Sequence, residues 1–258
     1  MTESTAGPVL FERAGNTAII TINRPKRKNA FDRATAYAME AAIDRFDADD
    51  DLRVAVLTGT GDVFCAGQDI IAAGLGEIGT TERRGGGGIM KQPPEKPIIA
   101  AVEGFAVGGG LEVCLACDLI VASRTAQLGL PEAKRGLPAM GGGLFRLPKR
   151  VPYAIAMEIA ITGTTWPASR FYELGLVNRI TEPGAALAEA RELAATIAAA
   201  GPVAVRASKA VVRDSGAWTD AESWVNQQPF VDQVLNSDDY LEGLNAFAEK
   251  RRPVWKGR

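Results

Sequence analysis

An α/β fold with a helical C-terminal region is predicted by three observations on the 258-residue chain. Short β-branched runs alternate with helix-period segments over the first half, strand patterns cease after Thr181, and four helical segments fill the remainder. The composition, 47% hydrophobic and 23% charged, is that of a globular protein able to bury a substantial core, as one large domain or one domain plus a small extension.

Thr17-Ala-Ile-Ile-Thr-Ile-Asn23, bounded by Gly15-Asn16 and Arg24-Pro25, is a predicted strand feeding a loop, with Phe11 in its hairpin partner. Asp32 is placed to cap a helix running to about residue 47, because Ala36, Met39, Ile43 and Phe46 recur three or four apart. Residues 54–58 are a buried strand that closes a β–α–β unit. A second unit starts with a strand at 97–102, passes through Gly108, Gly109 and Gly110 into a short helix, and returns at 119–122. Between the units, residues 74–88 carry Gly85-Gly-Gly-Gly88 and Glu82-Arg83-Arg84, a composition expected to pack poorly and to form a mobile surface segment along one wall of the site. After Gly142 the pattern predicts helices at 142–150, 152–161 and 168–174, then a strand at 176–181. Four more helices follow at 183–200, 203–214, 221–236 and 239–250.

The absence of histidine excludes histidine triads, histidine metal sites and imidazole acid/base catalysis, so carboxylates must carry any proton transfer. The net charge of −2 gives no global attraction to nucleic acid or anionic lipid. Residues 1–8 lack the basic start and apolar run of a secretory signal, and no apolar run is long enough to span a bilayer, so a cytosolic protein without a membrane partner is expected. Cys65, Cys114 and Cys117 are an odd set in such a chain; without histidine the Cys114-x-x-Cys117 pair cannot gather four zinc ligands, and buried, reduced thiols are expected.

The chemistry concentrates at two glycine corners. Val107-Gly-Gly-Gly-Leu-Glu112 follows an apolar strand and opens a helix, where free backbone N–H groups and the helix dipole stabilise an anion. The spacing Gly104-x-x-x-Gly108-Gly-Gly fits neither a dinucleotide fingerprint nor a P-loop, and Glu112 would repel a phosphate bound there. The second corner, Phe64-Cys-Ala-Gly67-Gln-Asp-Ile70, also follows a strand, and two amides from separate strand ends are what an oxyanion hole requires. Asp69 there has the ordinary role of a helix-start acid. Glu112, in the apolar stretch 111–116, and Glu132, after Pro131, are candidate acid and base whose pKa values burial and mutual repulsion would raise.

Asn23-Arg24-Pro25, Asn29-Ala30, Phe64-Cys-Ala-Gly67, Gly108-Gly-Gly-x-Glu112, Cys117-Asp118, Pro131-Glu132, Arg146-Leu147 and Phe247-x-Glu249-Lys250-Arg251 together resemble the enoyl-CoA hydratase (crotonase) family over nearly the whole chain. Residues 130–134 and 246–258 are most similar to its carnitinyl-CoA dehydratase branch. The resemblance implies a spiral of β–β–α turns over residues 1–195 that carries the active site. It implies a helical region at 196–258 used for trimer formation, often doubled to a hexamer. It implies an acyl-CoA thioester as substrate, no separate cofactor or metal, and a carbonyl oxygen held by the N–H groups of Gln68 and Gly109. Glu112 would activate water for attack at the β-carbon, and Glu132 would exchange a proton at the α-carbon. Lys26 and Lys28 match a CoA-lining loop, Phe247 and Lys250 match residues that help hold the nucleotide end, and Ala66, Asp69, Ile70, Gly108 and Met140 are the other substrate-binding positions expected. The resemblance implies a hydro-lyase; an isomerase that only shifts the double bond and a catalytically silent acyl-CoA-binding relative are the alternatives.

Two departures bear on the substrate. Gln68 stands where a small residue is common, and its side chain is expected to narrow the acyl pocket or to bond a polar substrate. In Leu137-Pro-Ala-Met140-Gly-Gly-Gly143 the proline is one place early and Met140 replaces glycine or aspartate.

Overall fold

The computed structural model describes residues 7–258, so most of the N-terminal segment read above for a signal lies outside the described residues. Strands β1 (Val9–Ala14) and β2 (Thr17–Ile22) form the expected hairpin. Helix α1 (Arg33–Ala48) starts at Asp32, whose carboxylate accepts the Thr35 N–H, and buries Ala36, Met39, Ile43 and Phe46 as the period required. β3 (Val54–Gly59), α2 (Ile70–Gly74), and the two-residue strands β4 (Thr80–Thr81) and β5 (Gly85–Gly86) follow. β6 (Ile98–Val102), β7 (Phe105–Val107), α3 (Gly109–Ala116), β8 (Leu119–Ser123) and β9 (Gln127–Gly129) complete the central part.

The main sheet has six strands in the order β1-β2-β3-β6-β8-β11, parallel from β2 onward, where β11 is Arg179–Thr181. Alternation along the strands assigns its two faces. Ile20, Leu57, Ala100 and Ile120 point into the core that holds α1 and α3, whereas Ile19, Val56, Ile99 and Val121 form a second cluster with Ala190 and Ala194 of α7 (Ala186–Ala198). Both faces are therefore covered by helices.

A second sheet, which the β–β–α turns of the resemblance imply, was not visible in the strand patterns. β7 pairs in parallel with β9, and β9 pairs antiparallel with β10 (Thr165–Pro167). These strands are three residues long, too short for a period-two pattern to show. They give β6-β7-α3 the order of a strand of the large sheet, a strand of the small one, then a helix, and Cys65 after β3 joins the small sheet's edge by a single bridge to Ala106.

The glycine-rich segment also differs from expectation. Arg84, 4% exposed, reaches Asp44 at 2.7 Å and Asp47 at 3.1 Å on α1 and donates to the Gln92 carbonyl. Gly88 adopts φ +73°, and a Cβ there would strike the Ala36 carbonyl oxygen, so its lack of a side chain lets the segment lie directly on α1. Residues 84–90 are packed structure, because glycine here serves close approach rather than flexibility.

Downstream, the helix expected at 142–150 is α4 (Gly143–Arg146) followed by a 3-10 turn, Leu147–Lys149, since Pro148 lacks an N–H for a continued α-helix. α5 (Tyr153–Thr162) and α6 (Ala168–Glu173) agree with expectation. The strand expected at 176–181 is confined to β11; Leu176 and Val177 are buried in the preceding turn. α8 (Pro202–Ser215) is as read, but the helix expected at 221–236 divides at Gln227 into α9 (Asp220–Asn226) and α10 (Gln228–Leu235), with Pro229 in the first turn of the second. α11 (Asp238–Ala248) closes the helical region.

Candidate active site

The two glycine corners meet. Gly108 (φ +58°) caps α3, which starts at Gly109 as the sequence implied. Gly67 lies against Gly109, since a Cβ on Gly67 would come within 2.8 Å of the Gly109 nitrogen. Parallel bridges tie Cys65 to Ala106 and Phe31 to Gln68. Among the described residues, the backbone N–H groups of Gln68 and Gly109 have no main-chain acceptor, whereas those of Gly67 and Asp69 do have partners, in the Cys65 sulfur and the Phe31 carbonyl. The corner thus leaves the Gln68 and Gly109 N–H groups uncommitted, one from each glycine turn, alongside the other unpaired amides of the first turn of α3.

Glu112, one turn into α3 and 4% exposed, is held from outside its helix: Oε1 accepts the Gly143 N–H at 2.9 Å. Burial pushes its pKa above the ordinary glutamate value, partly offset by the Gly143 and Gly141 N–H groups and by the Arg146 charge. Arg146 donates to the Met90 carbonyl at 2.6 Å and to the Gly141 carbonyl at 3.3 Å, bracing the loop that holds Glu112. Glu132 lies in the 3-10 turn Pro131–Arg135, with Oε1 3.1 Å from where a Gly108 Cβ would stand. Its Oε2 is the one buried side-chain oxygen or nitrogen among the described residues without a hydrogen-bond partner. Burial, and then the nearby Glu112 charge, raise its pKa too. Two carboxyl groups whose pKa values are both raised, beside two free amides, can take and give protons at a substrate whose oxygen gains charge.

An apolar cavity of about 560 Å³ adjoins Glu132. Its walls include Leu130, Leu137, Ala139, Leu147, Met157 and Ala160, with Glu132 the only carboxylate and Tyr153 the only aromatic residue on it.

The remaining sequence-derived positions divide. Lys26 and Lys28 are exposed in the 3-10 turn Pro25–Arg27 and at its end, and the Lys28 carbonyl accepts the Ala66 N–H, so their loop borders the oxyanion corner. Buried Asn29 fixes that loop through the Thr60 and Val63 carbonyls. Asp69 caps α2 through the Ala72 N–H and pairs with Arg24 at 3.2 Å, which also pairs with Asp32; its carboxylate is committed to structure. Gln68 differs from expectation: its side chain accepts the Gly79 N–H at 2.9 Å and donates to the Asp69 carbonyl, so it braces the loop after α2 instead of offering its polar atoms to a substrate. Ile70 and Met140 are exposed and Gly108 is buried at the corner, while Phe247, 87% exposed, and Lys250 end α11 outside the cavity lining. All three cysteines are free and buried, and burial pushes the Cys65 and Cys117 thiols up to about 12. Gly141, Gly143, Arg146 and Met90 were missed as parts of the site; the run Gly141-Gly-Gly143 beside the Arg146-Leu147 motif was their visible signal.

A family profile described as enoyl-CoA hydratase/isomerase matches residues 12–258. A carnitinyl-CoA dehydratase of Salmonella typhi is 42% identical over 254 residues, 95% of this chain and 97% of that protein. An enoyl-CoA hydratase of Mycobacterium tuberculosis has a solved structure similar to this one with a TM-score of 0.96 at 50% identity, covering 98% of this chain and 100% of that chain. A carnitinyl-CoA hydratase of Mycobacterium avium is similar at a TM-score of 0.78 and 38% identity, covering 98% and 100%.

Proposed function

The chain belongs to the enoyl-CoA hydratase/isomerase family, with its crotonase fold and hydro-lyase activity, and on that premise we propose that Glu112 and Glu132 carry the reaction. The observation that carries this reading is the buried, partnerless Oε2 of Glu132 beside the corner where the Gln68 and Gly109 amides are free. The thioester oxygen sits between those amides. Glu112, oriented by Gly143, draws a proton from water as its oxygen attacks the β-carbon; negative charge collects on the thioester oxygen, and Glu132 delivers a proton to the α-carbon. Dehydration reverses each transfer.

The acyl group is an uncharged aliphatic chain. The carnitine-derived group named for two of the relatives carries a quaternary ammonium, which needs aromatic faces or a carboxylate that is not needed for chemistry. The cavity beside Glu132 is lined mainly by aliphatic side chains, among them Leu130, Leu137, Leu147 and Met157, and its single aromatic ring, Tyr153, and single carboxylate, the reacting Glu132, do not make a cage for a cation. CoA enters along Lys26 and Lys28. Exposed Val212, Trp224, Leu241 and Leu244 on α8 to α11 support assembly as a trimer or a dimer of trimers, which light scattering reads directly.

Turnover of short, long and betaine-bearing 2-enoyl-CoA esters, with products identified by mass, tests the reading. Glu112→Gln and Glu132→Gln are each expected to lose about 10³-fold or more in kcat, with KM changed by less than about tenfold. Wild-type turnover in both variants, or a product lacking the added water, refutes it; preference for the betaine ester refutes the acyl assignment alone.

A further inference from the structure

Phe31 touches both halves of the oxyanion corner. It is 4% exposed and stands just before the cap of α1. Its main chain forms a parallel bridge around Gln68: the Phe31 N–H donates to the Gly67 carbonyl at 2.8 Å, and the Phe31 carbonyl accepts the Asp69 N–H at 2.9 Å. A strand residue whose two neighbours are bonded on one side directs its own N–H to the other, so this bridge aims the Gln68 amide.

The ring acts on the second donor. A Cβ on Gly109 would come within 2.6 Å of Cζ and 3.0 Å of Cε1, so the ring edge lies against the Gly109 backbone. On its other side a Cβ on Gly79 would reach Cδ2 at 2.5 Å, and Gly79 is the residue whose N–H the Gln68 side chain accepts. The ring is therefore confined between Gly79 and Gly109, and Gln68 ties the outer wall back to the corner.

We propose that Phe31 is the positioning residue of the oxyanion site, its main chain setting one donor and its ring setting the other, so that a single residue fixes the spacing of the Gln68 and Gly109 amides. Phe31 need not touch substrate to do this. A smaller side chain lets the Gly109 backbone relax toward the space the ring leaves, and the two N–H groups no longer converge on one oxygen. The inference rests on the oxyanion role proposed above for these amides.

Butyryl-CoA labelled with ¹³C at the thioester carbonyl, bound to the full chain, reports donor convergence through its infrared carbonyl stretch. In the wild-type protein the band is expected at lower frequency than in solution, and in Phe31→Leu it returns most of the way to the solution position. kcat falls by about 10- to 100-fold, less than complete loss of a donor, with KM within about threefold. Phe31→Met, whose longer unbranched side chain reaches further toward Gly109, is expected to fall between the two and covers the case in which the leucine variant does not fold. Phe46→Leu, at the far end of α1 and also fully buried, lowers Tm without moving the band. A folded Phe31 variant with a wild-type band overturns the positioning role while leaving the oxyanion reading intact; a wild-type band at the solution position overturns both.

Discussion

Adding one methyl group at Gly141 separates placement of Glu112 from stability of the fold. A Cβ on Gly141 would come within 2.6 Å of Glu112 Oε2 and would also strike the sulfur of buried Met90. A carbon and a carboxylate oxygen settle at roughly 3.4 Å, so the Gly141→Ala methyl displaces Oε2 by roughly 0.8 Å. Oε2 is the far end of a flexible side chain, so moving it costs less folding energy than moving main chain would. Displacing the Met90 sulfur is ordinary overpacking, about 1–3 kcal/mol, and at about 2–4 °C per kcal/mol for a chain of this size it lowers Tm by about 2–12 °C. A reacting group displaced by about 1 Å, in contrast, loses about 10²-fold in rate. The expected outcome in a spectrophotometric assay of enoyl thioester hydration is a folded variant with kcat down by about two orders of magnitude and KM nearly unchanged. Gly216→Ala, where no atom lies within 4 Å of the new methyl and φ is −66°, is the matched control and should be active and at least as stable as the parent. A Gly141→Ala variant with kcat within twofold of wild type would refute the claim that Glu112 is held in place by this loop.

Three further outcomes follow from the same contacts. At pH 7, Glu112→Gln should melt at or above the wild-type temperature although it is inactive. Folding raises this carboxyl's pKa, so its charge costs stability above the folded pKa, a cost relieved as pH falls below the unfolded value; glutamine removes the charge and keeps an oxygen for the Gly143 N–H. The kcat profile should be bell-shaped, with its acid limb above the ordinary glutamate range near about 4.3, because burial lifts both glutamates; a limb at or below that value would count against their assignment. Gly88→Ala should cost on the order of 3 kcal/mol or more in chemical denaturation, since it forces both an unfavourable positive φ and a clash with the Ala36 carbonyl; a near-neutral result would mean that residues 84–90 do not pack on α1.

What could be read in the sequence follows from the range over which each feature is determined. The main-sheet strands and α1 were legible because β-branched runs and a 3.6-residue period are local signals. Glu112 stood out because an acid within an apolar stretch is unusual locally, whereas an acid after proline at a helix start is ordinary, and Glu132 was singled out by the Pro131-Glu132 match to the family pattern. The misreadings occur where distant parts of the chain decide. Gly85-Gly-Gly-Gly88 has the composition of a linker, but Asp44, Asp47 and Ala36 of α1 define its surroundings. The Gln68 side chain was expected to face substrate, and only the return of the chain at Gly79 gives it a partner. Gly143 and Arg146 hold Glu112 across about thirty residues, a distance that no periodicity reports.

The register of the small sheet explains why the site falls where it does. Cys65 bridges Ala106, and Ala106 in turn pairs with Leu128, so three successive turns of the chain are stacked with these residues side by side. Three residues beyond each lie Gln68, Gly109 and Pro131, with Glu132 next. Steps of three, three and four residues from a shared register deliver two backbone donors and a carboxylate to one place without any contact in sequence, and α3, starting at Gly109, adds Glu112 from its first turn. A slip of one residue in either pairing would turn a strand's inward side chains outward and carry its donor or acid out of line with the others. The burial of Cys65, Ala106 and Leu128, all 0% exposed, opposes such a slip, so the same apolar packing that stabilises the small sheet also fixes the geometry of the reacting groups.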